Sequence, residues 1–204
     1  MRNYERVDKW LDELLNDTHP QPPDEGHTKW ARQAIEAGIP QLKTPCRSVI
    51  DMGCGSNGFV APMFAEYGIT DYAGVAIRED AVTALQTDLK MYDADFTFLD
   101  MIPDASYDIV FARHSLEHSP MPILTLFEWA RITKKYIWLI MPDPKYWLWT
   151  GRNHYSVMHP EQPFFLLKRV GMEVIWSNAT EYEFWYIAEK VEDEEDESLP
   201  STSD

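Results

Sequence analysis

Val7, Trp10, Leu11, Leu14 and Leu15 recur at three- to four-residue spacing, which predicts an amphipathic helix over about residues 4–16. Three prolines between Thr18 and Asp24 then impose a loop. A second helix is predicted from Thr28 to Ala37, with Gly38 as its stop and Pro40 beyond. From Arg47 the period changes. Short β-rich runs, Ser48–Asp51, Tyr72–Ile77, Phe96–Leu99, Tyr107–Ala112 and Tyr136–Met141, alternate with helical stretches at Gly58–Tyr67, Glu79–Lys90 and Met121–Ile132. A helix at Glu161–Val170 and two strands, Met172–Trp176 and Glu183–Glu189, complete the pattern. Alternating strands and helices predict a mostly parallel sheet covered on both faces. The short link from Ser177 to Tyr182 permits an antiparallel return at the sheet edge. The expectation is an α/β fold, a Rossmann-like seven-stranded sheet with an antiparallel last strand. An N-terminal helical cap would occupy residues 1–44, the α/β domain 45–190 and an acidic tail 191–204.

Charge narrows the partners. The chain holds 34 acids and 18 bases, for a formal charge of −16. From Val191 onward there are seven acids and no base, which predicts a disordered tail and leaves −9 on the rest. Proteins that grip nucleic acid do so largely by neutralising phosphates with Lys and Arg, so extended nucleic-acid contact is disfavoured. The apolar run at Tyr136–Met141 is far too short to span a bilayer. No basic start followed by an apolar run marks a signal peptide. Two cysteines, Cys46 and Cys54, give neither a disulfide framework nor a metal spacing, so a cytoplasmic setting is expected.

The first strand runs into Asp51-Met-Gly53-Cys-Gly55-Ser-Asn-Gly58, and a helix follows. This is G-x-G-x-x-G on a strand-turn-helix, where glycines let a ligand approach the backbone and the helix start offers amide hydrogens. A dinucleotide would place its pyrophosphate beside the Asp51 carboxylate, a like-charge contact that costs energy. S-adenosylmethionine has no phosphate and carries an ammonium and a sulfonium, which a carboxylate favours. Asp51 therefore tips the reading towards S-adenosylmethionine.

Val49-Ile-Asp51-Met-Gly53-Cys-Gly55 resembles the D-x-G-C-G motif of class I S-adenosylmethionine-dependent methyltransferases. Ser106-Tyr-Asp108-Ile-Val resembles their fourth-strand signature, and Leu116-Glu-His118-Ser-Pro120 the L-E-H-x-P run after it. Tyr155-Ser-Val157, Pro160-Glu-Gln162 and Leu166–Val174 resemble their penultimate helix and strand. The resemblance spans residues ~45–190 and implies methyl transfer from S-adenosylmethionine; the acceptor expected is a small molecule or an exposed group on a larger one, the small molecule first.

It also implies roles. Asp51, Gly53, Cys54 and Gly55 would cradle the methionine and ribose. Asn57 stands where the family has its next glycine, and Asn tolerates a left-handed backbone. The ribose-binding acid that usually ends the second strand is replaced by Ala76, with Glu79 a possible substitute. Asp100-Met101, after the third strand, would meet the adenine. Asp108 would be a structural acid, and His114 would lie beside the methyl donor.

An oxygen or nitrogen acceptor often needs a base, and His118 and His154 are the candidates. His114-Ser-Leu-Glu117-His118 also resembles the E-x-x-E-H cluster of metal-dependent O-methyltransferases, with His for the first acid. Aligning both rings takes a helix that Pro120 and Pro122 limit, and nothing else in the sequence identifies a further ligand, so no metal is expected. The aromatic run Tyr146-Trp147-Leu-Trp149 would either line an acceptor pocket or pack onto the first helix through Trp10. Two rivals stay open: an NADP-dependent oxidoreductase, favoured by Ala76 beside Arg78, and a non-catalytic binding module, favoured by Ala76 and the altered glycine turn.

Overall fold

The computed structural model describes residues 25–77, 83, 86–147 and 154–191, with only the backbone of Tyr146 and Trp147. The predicted first helix, Glu79 and the acidic tail lie outside these residues. Among the described residues a seven-stranded sheet runs β3-β2-β1-β4-β5-β7-β6. Its strands are β1 (Ser48–Met52), β2 (Asp71–Ala76), β3 (Lys90–Asp93), β4 (Tyr107–Arg113), β5 (Thr133–Pro142), β6 (Met172–Ala179) and β7 (Glu183–Lys190). β1 pairs in parallel with β2 and β4, β2 with β3, and β4 with β5. β7 runs antiparallel between β5 and β6, as the short link before it requires.

All five residues of β1 and nine of the ten in β5 from Thr133 to Pro142, counting only Lys134 as exposed, are at least partly withdrawn from solvent. Near-continuous burial is what a parallel strand covered on both faces requires. The helices are α1 (Glu25–Gly38), α2 (Ala61–Ala65), α3 (Pro122–Ile132), α4 (Pro144–Trp147) and α5 (Gln162–Arg169). One core joins Ala31, Ala34 and Ile35 of α1 and Phe64 of α2 to Val49, Phe111 and Trp138 of the sheet. The opposite core joins Leu126 and Trp129 of α3 and Leu167 of α5 to Ile50, Met52 and Val110. Alternate residues of β1 thus serve different layers, as the two-residue period of a strand dictates.

Gly38 does more than end α1. A Cβ there would lie 2.0 Å from the Trp138 ring, so glycine is what lets the helix end press on the sheet. The Trp138 ring in turn meets Phe64 and Phe111 edge-on, each at 5.9 Å. Such pairs add about 0.5–1.5 kcal/mol each beyond area burial.

The third strand departs from the sequence reading. It is Lys90–Asp93, paired with Ala73–Ala76, and Phe96–Leu99 is a turn. Leu89, Lys90 and Met91 are good helix formers, while Phe96-Thr-Phe reads as β-rich, so propensity points the wrong way at both places. The Asp95 carboxylate accepts the Thr97 N–H at 2.8 Å, and the Asp95 carbonyl accepts Phe98 N–H at 3.0 Å, which bends the chain. Helix α3 then takes the freed backbone groups. Trp129 Nε1 donates to the Phe96 carbonyl at 2.9 Å, and Glu128 accepts the Leu99 N–H at 3.1 Å.

Candidate active site at the sheet switch point

From β1 the chain builds outward through β2 to β3, then returns to lay β4 on the other side of β1. Ligands of open α/β sheets bind beyond the carboxyl ends of the strands at such a reversal. The loops that leave β1 and β4 meet there.

Gly53, Gly55 and Gly58 all have left-handed φ, +78°, +65° and +55°. Asn57 does not: the left-handed residue after Gly55 is Gly58, which corrects the expectation that Asn57 would take that turn. Gly53 and Cys54 N–H both donate to the Val75 carbonyl, at 2.9 and 3.0 Å, fixing the loop to β2. A Cβ on Gly53 would come within 2.6 Å of Ser115 Oγ, so the loop after β1 touches the turn after β4. Ser115 itself donates to the Met52 carbonyl at 2.5 Å. Around a Cβ on Gly55, by contrast, nothing lies within 4 Å. The loop is clamped at Gly53 and open at Gly55, the shape of a cradle.

Cys54 turns its side chain away from that opening. It is 3% exposed, and its sulfur packs where a Cβ on Gly74 would go, near Met91. Only its backbone belongs to the cradle.

Asp51 is also withdrawn. Its carboxylate is 4% exposed and accepts the Tyr72 hydroxyl at 2.8 Å. Burial pushes its pKa up to about 7, against the Tyr72 hydrogen bond and the charge of Arg113. The same Tyr72 oxygen would lie 2.9 Å from a Cβ on Gly58. Asp51 therefore holds Tyr72 against the end of the glycine loop, a positioning role that sequence reasoning missed.

Ala76 ends β2 and is buried, beside Asp93 at the end of β3. Because the third strand lies earlier than expected, the acid that ends it is exposed Asp93, not Asp100. Asp100 and Met101 instead occupy a turn closed by Ile102 N–H on the Leu99 carbonyl at 2.8 Å.

His114 has a left-handed φ of +51°. Its Nε2 lies 2.9 Å from Glu183 Oε1, and burial lowers its pKa to about 4 despite that carboxylate. Glu183 also pairs with Arg113 at 2.5 Å and accepts Trp185 Nε1 at 3.0 Å. These partners outweigh burial and hold Glu183 below the usual carboxylate range. The His114 ring thus belongs to a buried ion network next to α1, where His27 lies 6.3 Å away and Trp30 stacks on Tyr182 at 5.1 Å. Only its backbone is left to meet a ligand.

His118 and His154 come together from segments 36 positions apart in sequence, their rings 4.8 Å apart and edge to face. Glu117 joins them: one ligand atom of each of the three lies within 4.8 Å of the others. A 3₁₀ turn, Leu116–His118, carries Glu117 and His118, consistent with Pro120 blocking a helix there. Ser156 stitches the segment after His154 onto this turn, donating N–H to the Glu117 carbonyl at 3.0 Å and Oγ–H to the Ser119 carbonyl at 2.5 Å. A small recess is lined by Glu117, Met141, Pro142, His154, Ser156 and Met158. Glu117 is 1% exposed, and burial pushes its pKa up to about 8. Its importance was legible only as part of the L-E-H run.

Residues 50–141 match the family model described as the methyltransferase domain. Solved structures share the fold over most of the chain. A methyltransferase of Archaeoglobus fulgidus is 23% identical, with a TM-score of 0.64 over 80% of this chain and 94% of its own. A Haloferax volcanii methyltransferase complex with the activator Trm112 contains a chain 16% identical, with a TM-score of 0.65 over 82% and 95%. The magnesium protoporphyrin IX methyltransferase of Synechocystis, solved with bound S-adenosylmethionine, is 18% identical, with a TM-score of 0.60 over 81% and 80%. No curated protein matches the sequence. Residues 50–141 thus match a methyltransferase domain, and the sheet order is the class I methyltransferase order. The methyltransferase match weighs against the NADP reading. Among the described residues, no helix is long and apolar enough to cross a membrane.

Proposed function

We propose that this enzyme transfers the methyl group of S-adenosylmethionine to a small-molecule acceptor that enters beside Glu117, His118 and His154. The observation that carries the reading is the cradle: Gly53 packed on Ser115, and Gly55 left-handed and open above its backbone. That opening fits the methionine and ribose portion. Bound there, the cofactor would supply an electrophilic methyl to the acceptor's lone pair, its C–S electrons staying with sulfur, and the acceptor's proton would pass to His118, His154 or solvent. The chain's contribution is then largely alignment of the two reactants. Asp51 supports the loop through Tyr72 and, when ionised, sets a negative charge behind the ligand's ammonium. Asp93 replaces the carboxylate missing at Ala76 and meets the ribose or the adenine. His118, on the turn that follows the cradle contact at Ser115, and His154 beside it face the acceptor's hydroxyl or amine.

Two measurements test this. Calorimetry should give saturable S-adenosylhomocysteine binding that Gly55→Val removes and Asp93→Asn weakens. Binding of NADP alone, or of neither ligand at millimolar concentration, overturns the reading, the latter in favour of a non-catalytic module. Tritiated methyl from S-adenosylmethionine should enter the low-molecular-weight fraction of an extract. Label found solely in protein or RNA would overturn the small-molecule acceptor.

A further inference from the structure

We propose that Glu117, His118 and His154 form a binding site for one divalent transition-metal ion, which holds the methyl acceptor. The inference rests on the methyl-transfer reading for its purpose, but its evidence is separate.

Glu117 is 1% exposed, and neither carboxylate oxygen has a hydrogen-bond partner from any other described residue. A buried carboxylate with no donor is costly, and such groups are normally paired or bound to metal. Arg113, the nearest cation in sequence, is committed to Glu183. What does surround the carboxylate is a pair of imidazoles, on a turn and a loop already joined through Ser156. Two imidazole nitrogens and one carboxylate oxygen are a common catalytic donor set for Zn²⁺ and for non-haem Fe²⁺. Imidazole-rich ligation disfavours Mg²⁺ and Ca²⁺, which take oxygen donors.

The dimensions are compatible. Donors about 2.1 Å from a tetrahedral ion lie about 3.4 Å apart. The three donors here are within 4.8 Å of one another, so closure asks for roughly 1 Å of side-chain adjustment. Three protein ligands leave a position open, and the recess past His154 gives access to it. An acceptor hydroxyl bound there would have its pKa lowered and release its proton to solvent, leaving an oxygen nucleophile for the methyl carbon. His118 and His154 would then be ligands and not themselves the base. Their sequence context hid this. His114 of the H-x-x-E-H run turns away to Glu183, and the third ligand comes from His154, beyond β5.

The test uses the full chain stripped with chelator and titrated with Zn²⁺ and then Mn²⁺ by calorimetry, with and without S-adenosylhomocysteine. One ion per chain should bind in the micromolar range or tighter. Glu117→Gln, which keeps the side-chain shape, and His154→Ala should each weaken binding at least tenfold while leaving S-adenosylhomocysteine affinity within twofold. Anomalous scattering at the zinc edge should place the ion between the three residues. No saturable binding up to 1 mM (a concentration on the order of a weak site), or binding unaffected by both variants, overturns the inference. In either case intact S-adenosylhomocysteine binding would leave the methyl-transfer reading standing, whereas its loss would count against that reading instead.

Discussion

Asp108 and Asp51 sit on neighbouring strands, yet the two ends of the sheet treat them oppositely. At the amino end, Asp108 accepts the N–H groups of Arg47 at 2.8 Å and Ser48 at 3.2 Å, and Lys135 Nζ lies 3.4 Å away. Those contacts outweigh its burial, and its pKa stays below the ordinary value. At the carboxyl end, Asp51 has one hydroxyl donor, and burial wins, taking it to about 7. Glu117, also at the carboxyl end, has no donor from another described residue. Carboxylates that are saturated by their own protein stabilise it. Those left undersupplied keep capacity for something else, and strongly shifted groups in a cleft are where sites are sought. The positions of these acids relative to β1 and β4 separate a structural end from a functional one.

The largest effect expected from breaking this contrast is the pH dependence of Asp51. Its folded pKa of about 7 lies above the unfolded value near 3.9, so the folded state binds the extra proton between them. Stability from this group is therefore present below about pH 4 and lost as pH rises towards 7. Asp51→Asn keeps an acceptor for Tyr72 and removes the titration. Urea unfolding of both proteins should show the variant gaining on the parent by up to about 1.4 kcal/mol per pH unit, and on the order of 4 kcal/mol in all. Comparing the pair cancels the opposite slopes of Asp108 and Glu183. S-adenosylhomocysteine affinity should rise through pH 7 in the parent and stay flat in the variant. Parallel stability curves for the two proteins would show that Asp51 ionises at its ordinary pKa.

Asp108→Ala should cost about 3 kcal/mol, because it strands two backbone N–H groups at about 1–3 kcal/mol each with partial rescue by water. The loss should be steady above pH 5, since the lowered pKa of Asp108 keeps it ionised there. At temperatures where the variant is folded, S-adenosylhomocysteine affinity should match the parent within twofold. A tenfold loss of affinity would erase the distinction between the two ends.

Much of this was readable from the chain alone. The β1 motif, the L-E-H run and the antiparallel return are local patterns, and the fold follows from them. The errors arose where tertiary contacts overruled local preference. Lys90–Asp93 became a strand because β2 offered an unpaired edge, and Phe96–Leu99 became a turn because Trp129 and Glu128 captured its backbone. For that reason the acid that ends the third strand is Asp93, and Asp100 falls in the turn beyond it. Side-chain direction was the other gap. Spacing put Asp51, Cys54 and His114 at the crevice, but no sequence period says that Tyr72, Gly74 and Glu183 would draw them away from it. His154 joins His118 through a fold-level contact that only the assembled loops reveal.

The smallest expected change in stability gives the sharpest test of the open end. Gly55 and Gly53 share a left-handed backbone, so alanine at either carries a similar strain of about 1–2 kcal/mol. They differ in what surrounds the new methyl. At Gly53 it meets Ser115 Oγ at 2.6 Å, whereas at Gly55 it meets open space. Gly55→Ala should therefore destabilise by about 1 kcal/mol and Gly53→Ala by about 1–3 kcal/mol more. In binding the order should narrow or reverse, because the methyl at Gly55 stands in the volume assigned to the ligand. S-adenosylhomocysteine affinity should drop at least tenfold in Gly55→Ala while its thermal midpoint falls by only about 2–4 °C. A Gly55→Ala protein that binds as tightly as the parent would place the ligand elsewhere, since nothing else in the described structure needs that space.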